Sequence, residues 1–111
     1  MSPPSGGQLV VSDDRGEALK TEFIIEAPGW LAWDESSDLE FQFFYLDTQG
    51  KNVGLRQKST DNKITTVLPQ TEMVVVRVYD RAGGYTEASQ RMVITFPDVI
   101  EFIITDDVNP P

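Results

Sequence analysis

Apolar residues along this chain recur at every second position in short runs, and none of the runs keeps the three-to-four spacing of a helix for any length. The clearest case is residues 74–96. Val74, Val76 and Val78 fall on one face of an extended strand, and Val75, Arg77 and Tyr79 fall on the other. Gly83 and Gly84 offer the positive φ that a tight turn needs. Beyond them Thr86, Ala88, Gln90, Met92, Ile94 and Phe96 continue on one parity as a single return strand that Pro97 ends. A hairpin of this kind is stable in water only with a β partner on each side.

The same alternation places the other elements. Residues 8–12 read as a first strand. Asp13, Asp14, Arg15 and Gly16 read as a turn, with Gly16 in the unusual dihedral. Residues 19–27 form a second strand, with Thr21, Phe23, Ile25 and Ala27 on one parity, and Pro28-Gly29 stops it. Residues 30–38 are an irregular loop that holds both tryptophans; one of them is expected to plug an end of the core. In residues 39–46, Leu39, Phe41, Phe43 and Tyr45 share a face. Phe44 and Leu46 have the opposite parity, so the later half of that strand is expected to be covered on both sides. A turn over 47–52 leads to a short return strand at 53–57. A polar loop then leads to a strand at 63–68, closed by Pro69.

Short strands with turn signals every eight to twelve residues indicate an all-β antiparallel sandwich of about seven strands, with a barrel as the alternative. Residues 1–7, rich in Pro, Ser and Gly, read as a flexible N-terminal linker, and residues 8–97 as the sandwich. Residues 98–111 hold the apolar run 99–105 and an acidic, Pro-rich end. The run is either a terminal strand or the start of a next domain plus linker. The first fits better, because the run would otherwise expose bulky apolar side chains.

Composition narrows the function more than the fold. At 111 residues there is material for one core, and a net charge of −9 argues against nucleic acid or an anionic membrane as partner. The absence of Cys and His removes disulfides, thiol and imidazole catalysis and ordinary zinc sites together. The N-terminal residues carry no apolar run for a signal peptide or anchor, and Met1 reads as the start of a piece cut from something longer. No Ser-X-X-Lys or Gly-X-Ser-X-Gly spacing occurs, so no enzyme is expected and no catalytic, cofactor-binding or metal residue is assigned.

Two weaker constellations remain. Asp34, Glu35 and Asp38 share one loop, and Asp80 ends a strand that reaches one pole; together they are the only candidate for calcium, which takes six to eight oxygens. The competing and preferred explanation is that Asp34 and Asp38 cap turns through nearby backbone N–H groups. Trp30, Trp33, Phe41, Phe43, Phe44 and Tyr45 would make a carbohydrate-stacking surface if exposed together. Strand parity instead sends most of them into the core.

Three stretches taken together resemble a known family. These are Gly16-Glu-Ala-Leu-Lys-Thr-Glu-Phe-Ile-Ile; Gly29-Trp30 with Asp34, Asp38, Leu39, Phe41 and Phe43; and Val74-Val-Val-Arg-Val-Tyr-Asp with Gly83-Gly84-Tyr-Thr. They resemble the receptor-for-egg-jelly (REJ) region of polycystin-type proteins, and the last is also similar to the polycystic-kidney-disease (PKD) immunoglobulin-like repeat. Here Val11 and Glu26 stand in the neighbourhood where REJ members often carry Cys. The resemblance implies an Ig-like, PKD- or fibronectin-III-like sandwich in a large, membrane-anchored cell-surface protein, repeated in tandem. Its implied work is non-catalytic: adhesion, ligand contact or bearing mechanical load. The partners implied are neighbouring domains of the same chain and extracellular protein or glycan ligands, with no nucleic acid and no direct membrane insertion. A calcium-dependent or carbohydrate-binding adhesion domain is the alternative, and a designed scaffold assembled from such repeats a third.

Overall fold

The computed structural model describes residues 2–33 and 38–96. Its elements are β1 (Val10–Val11), β2 (Arg15–Glu17), β3 (Glu22–Glu26), β4 (Glu40–Leu46), β5 (Asn52–Gly54), β6 (Lys63–Val67), β7 (Met73–Tyr79), β8 (Tyr85–Arg91) and β9 (Val93–Thr95). The chain is all-β, and the described residues contain no helix. One sheet has the order β1-β3-β6, a second β5-β4-β7-β8, and β2 pairs with β9 in a short two-stranded ladder. Among the described residues all strand pairings are antiparallel except β2 with β9.

The parity of the sequence becomes burial. Phe23 and Ile25 of β3 face Phe41, Phe43, Val74, Val76 and Val78 of β4 and β7, so two sheets share one apolar cluster, which Leu68, Met92 and Ile94 complete. Each large aliphatic or aromatic side chain withdrawn fully from water there stabilises the fold by about 1.5–3 kcal/mol. Arg56 closes one side of the cluster. Its guanidinium lies 5.3 Å over the Phe43 ring and donates to the carbonyls of Lys63, at 3.0 Å, and Asp61, tying the β5 side of one sheet to β6 of the other.

Both long hairpin turns use one local device. Asp47 and Asp80 each directly follow a strand, and each accepts two backbone N–H bonds on Oδ1. The donors are Gln49 (2.8 Å) and Lys51 (2.9 Å) in the first turn, Ala82 (2.9 Å) and Gly84 (2.8 Å) in the second. The left-handed residues are Gly50 and Gly83. Gly84 is not left-handed; it sits against the Asp80 carboxylate.

Four sequence expectations change. First, Arg15 and Gly16 are strand, not turn, and Gly16 does not have positive φ. Gly16 is instead a close-approach glycine, where a Cβ would stand 2.6 Å from Phe23 Cζ and 2.8 Å from Thr21 Cβ. Second, the strand expected from residue 19 begins at Glu22, because residues 18–21 turn, with Leu19 at φ 60°.

Third, the return strand expected over 85–96 changes partner in its middle. Met92 N–H donates to Glu72 O at 2.9 Å, towards β7, and Val93 N–H donates to Asp14 O at 2.7 Å, towards β2. Successive N–H groups of a strand point to opposite edges, so a change of partner needs no break in the chain. Fourth, the β7–β8 hairpin has a neighbour, β4, on one side. Among the described residues β8 has none on the other.

The segment read as a linker also makes specific contacts. Ser5 pairs with Leu31, Pro4 is fully buried, and Thr86 Oγ1 donates to Pro4 O at 2.5 Å. Pro97, expected to end the return strand of the 74–96 hairpin, the apolar run 99–105 and the acidic tail lie outside the described residues.

Candidate functional site

The register sets Glu40 opposite Tyr79, so Asp38, just before β4, and Asp80, just after β7, lie at the same end of the sheet. Asp34 and Glu35 fall outside the described residues. Asp38 is exposed and borders a hollow of about 370 Å³ with Trp30, Leu31, Phe41 and Thr60. The Asp80 carboxylate is engaged by its own turn, as described above, a turn-capping role expected of Asp34 and Asp38 rather than of Asp80. Among the described residues no group of three or more acidic side chains is placed to hold a metal ion. At the other end a hollow of about 380 Å³ lies between Asp47, Gln70 and Glu72. Its floor holds the buried Thr71, whose hydroxyl donates to Leu46 O at 2.6 Å and accepts from Met73 N–H at 3.3 Å.

The aromatic residues separate as parity required. Phe41 and Phe43 are core, and Tyr45 packs against it. Trp30 also packs on the core and donates its indole N–H to Gln8 O at 3.0 Å. Gly7 lies so close to it that a Cβ would stand 2.3 Å from Trp30 Cγ. Trp30 is thus the core plug the sequence called for, held from above by the N-terminal segment. Trp33 is 63% exposed, so the two tryptophans do not make a shared flat platform.

What the sequence did not show is how the outer face of the four-stranded sheet is covered. Phe44 and Val75 oppose each other across β4 and β7 on that face, yet they are only 8% and 6% exposed. Gly54, opposite Phe44 on β5, has no side chain to cover it. The cover is Arg77. Its guanidinium lies 5.3 Å over the Phe44 ring and 5.0 Å over the Tyr85 ring, and Nε is fixed by Glu87 Oε2 at 2.5 Å. That hydrogen bond raises the guanidinium pKa above its ordinary value, and a guanidinium is charged at any physiological pH with or without it. Next to it Lys58 Nζ sits 4.3 Å over Tyr79, whose hydroxyl bonds Gln42 Oε1 at 3.1 Å. Outward parity of Arg77 and Tyr79 was visible along β7, but their neighbours depend on a register that one sequence does not reveal.

The remaining feature is the ladder where the first part of the chain meets the last described strand. Arg15, Gly16 and Glu17 run parallel to Val93, Ile94 and Thr95. Val93 N–H to Asp14 O and Ala18 N–H to Thr95 O, both 2.7 Å, bracket the ladder.

A family model described as "REJ domain" matches residues 1–105. Comparison with curated proteins and with solved structures finds no match.

Proposed function

Because the chain belongs to the REJ domain family, we propose that it is a non-catalytic, Ig-like module of a large polycystin-like cell-surface protein and bears mechanical load between neighbouring extracellular domains. The Ig-like part of this reading is supported by the split first strand: β1 joins one sheet and β2 joins the edge continued from the other.

One observation carries the load-bearing part, the parallel pairing of β2 with β9. In a parallel pair the two strands start side by side. A pull that reaches the start of β2 and the end of β9 therefore acts at opposite ends of the ladder. The hydrogen bonds are then loaded together in shear and do not open one after another. An antiparallel pair loaded the same way would unzip.

Stretching the full chain between handles at its two ends tests this. Val93→Pro removes the N–H that bonds Asp14 O while leaving the buried cluster in place, since Val93 is exposed. The unfolding force is expected to fall far more, in proportion, than the urea midpoint. An unchanged force would remove the load-bearing role.

Ligand contact is the second reading, favoured by the exposed Leu31 and Trp33 at the pole that also carries Asp38. Loss of binding to an extracellular protein or glycan ligand on Trp33→Ala, with stability unchanged, would support it.

A further inference from the structure

Leu19 is the one non-glycine residue with positive φ among the described residues, at 60°, and it is also 69% exposed. The left-handed region is costly for a side chain with a Cβ, and an exposed leucine gains nothing from burial. Gly or Asn would take the same backbone conformation more easily and leave no apolar surface in water. Two separate penalties at one position are what a side chain kept for a contact would show.

The surroundings show where that contact lies. Leu19 N–H donates to Leu68 O at 2.7 Å, and Ala18 N–H donates to Thr95 O, also at 2.7 Å, so Leu19 is pinned between the ends of β6 and β9. Two other exposed apolar residues are the sequence neighbours of those acceptors: Val67 before Leu68, and Phe96, 59% exposed, after Thr95. These residues sit where the described chain leaves the fold.

We infer that Leu19, Val67 and Phe96 form the seat of the apolar segment 99–105, Val-Ile-Glu-Phe-Ile-Ile-Thr, of the same chain. Two facts select this occupant. The segment starts three residues after Phe96, a span of about 10 Å at most, so it is tethered beside the patch at high effective concentration. The REJ domain match runs to residue 105 and so counts the segment within the same unit. Docking there would cover the apolar side chains of both partners and end the domain after residue 105, not at residue 97. The proposal is independent of whether the module bears load.

Hydrogen exchange and urea denaturation on the full chain test it. Amides of residues 99–105 are expected to exchange roughly tenfold or more slowly than in an unstructured chain, and Leu19→Gly is expected to abolish that protection. Leu19→Gly should lower the urea midpoint although it relieves the backbone. In a Phe102→Ser background the same substitution should become neutral or stabilising. Exchange at unstructured rates would overturn the proposal. So would a midpoint raised by Leu19→Gly in both backgrounds, or protection that grows with protein concentration, which would show a second copy seated on the patch.

Discussion

Gly16 and Phe23 are in contact without room for one more carbon: a Cβ at Gly16 would stand 2.6 Å from Phe23 Cζ, and the Phe23 side chain is fully buried. Alanine at 16 must therefore push β2 outwards or Phe23 out of its well. Because β2 pairs with β9, either shift strains the parallel ladder as well. Gly16→Ala is expected to cost about 1–3 kcal/mol, read as a lower urea midpoint. Amide exchange should be fastest along β2 and β9. A variant as stable as the parent would show that the contact is looser than described.

The guanidinium of Arg77 shields an apolar sheet face. Arg77→Met keeps some of the cover but loses the cation over Phe44 and Tyr85 and the bond to Glu87; a loss of about 1–2 kcal/mol is expected. Glu87→Gln, which leaves Arg77 lying on the rings, should cost under about 1 kcal/mol. Equal losses in a double-mutant cycle would mean that the ion pair, and not the cover, is what matters.

Asp80 separates turn chemistry from metal chemistry. Asp80→Ala removes both acceptor bonds on Oδ1 and is expected to cost about 1–2 kcal/mol, whereas Asp80→Asn keeps an oxygen in place and should cost less. Thermal unfolding with and without millimolar calcium checks the role. A calcium-dependent rise in midpoint that Asp80→Asn abolishes would assign the residue to a metal instead.

Deleting residues 2–7 uncovers Trp30 beneath Gly7 and removes the buried Pro4 with its bond from Thr86. A loss of about 2 kcal/mol or more is expected. A red shift of tryptophan emission should accompany it. Unchanged stability and emission would return the segment to the status of a spacer.

Thr71 makes the fifth stability test, at the far end. Thr71→Val leaves the Leu46 carbonyl without its 2.6 Å donor in a buried position. About 1–3 kcal/mol should be lost, measurable by urea denaturation, and Thr71→Ser should recover most of it.

Much of the fold was legible because burial follows parity. The alternation of Val74, Val76 and Val78 against Arg77 and Tyr79, and of Phe41 and Phe43 against Gln42, places these residues as found. Three things were not legible, each for a physical reason. A glycine required by a neighbouring ring looks in sequence like a glycine required by a turn, and Gly16, next to Asp13-Asp14-Arg15, resembles the second kind. A strand that changes partner keeps its alternation, so nothing in Tyr85 to Phe96 marks Met92 as the point of change. Pro-, Ser- and Gly-rich composition reports conformational freedom in the unfolded chain and not the contacts available in the folded one, which hid the burial of Pro4 and the fit of Gly7 on Trp30. The candidate site was less legible still, since the pairing of Arg77 with Phe44, Tyr85 and Glu87 exists only once three strands are in register.

The exchange of partners at Met92 also bears on how the molecule comes apart. One continuous stretch of backbone serves both ladders: β7 holds its first half and β2 its second. The stretch 10–17 likewise serves both layers, β1 pairing with β3 and β2 with β9, so the layers have no hinge line along which they could swing open and leave each half intact. Separating them means tearing one ladder or the other, and either tear exposes Met92 and Ile94 from the shared interior. Partial opening therefore has little to stop at, and the domain should pass between closed and unfolded in a single step.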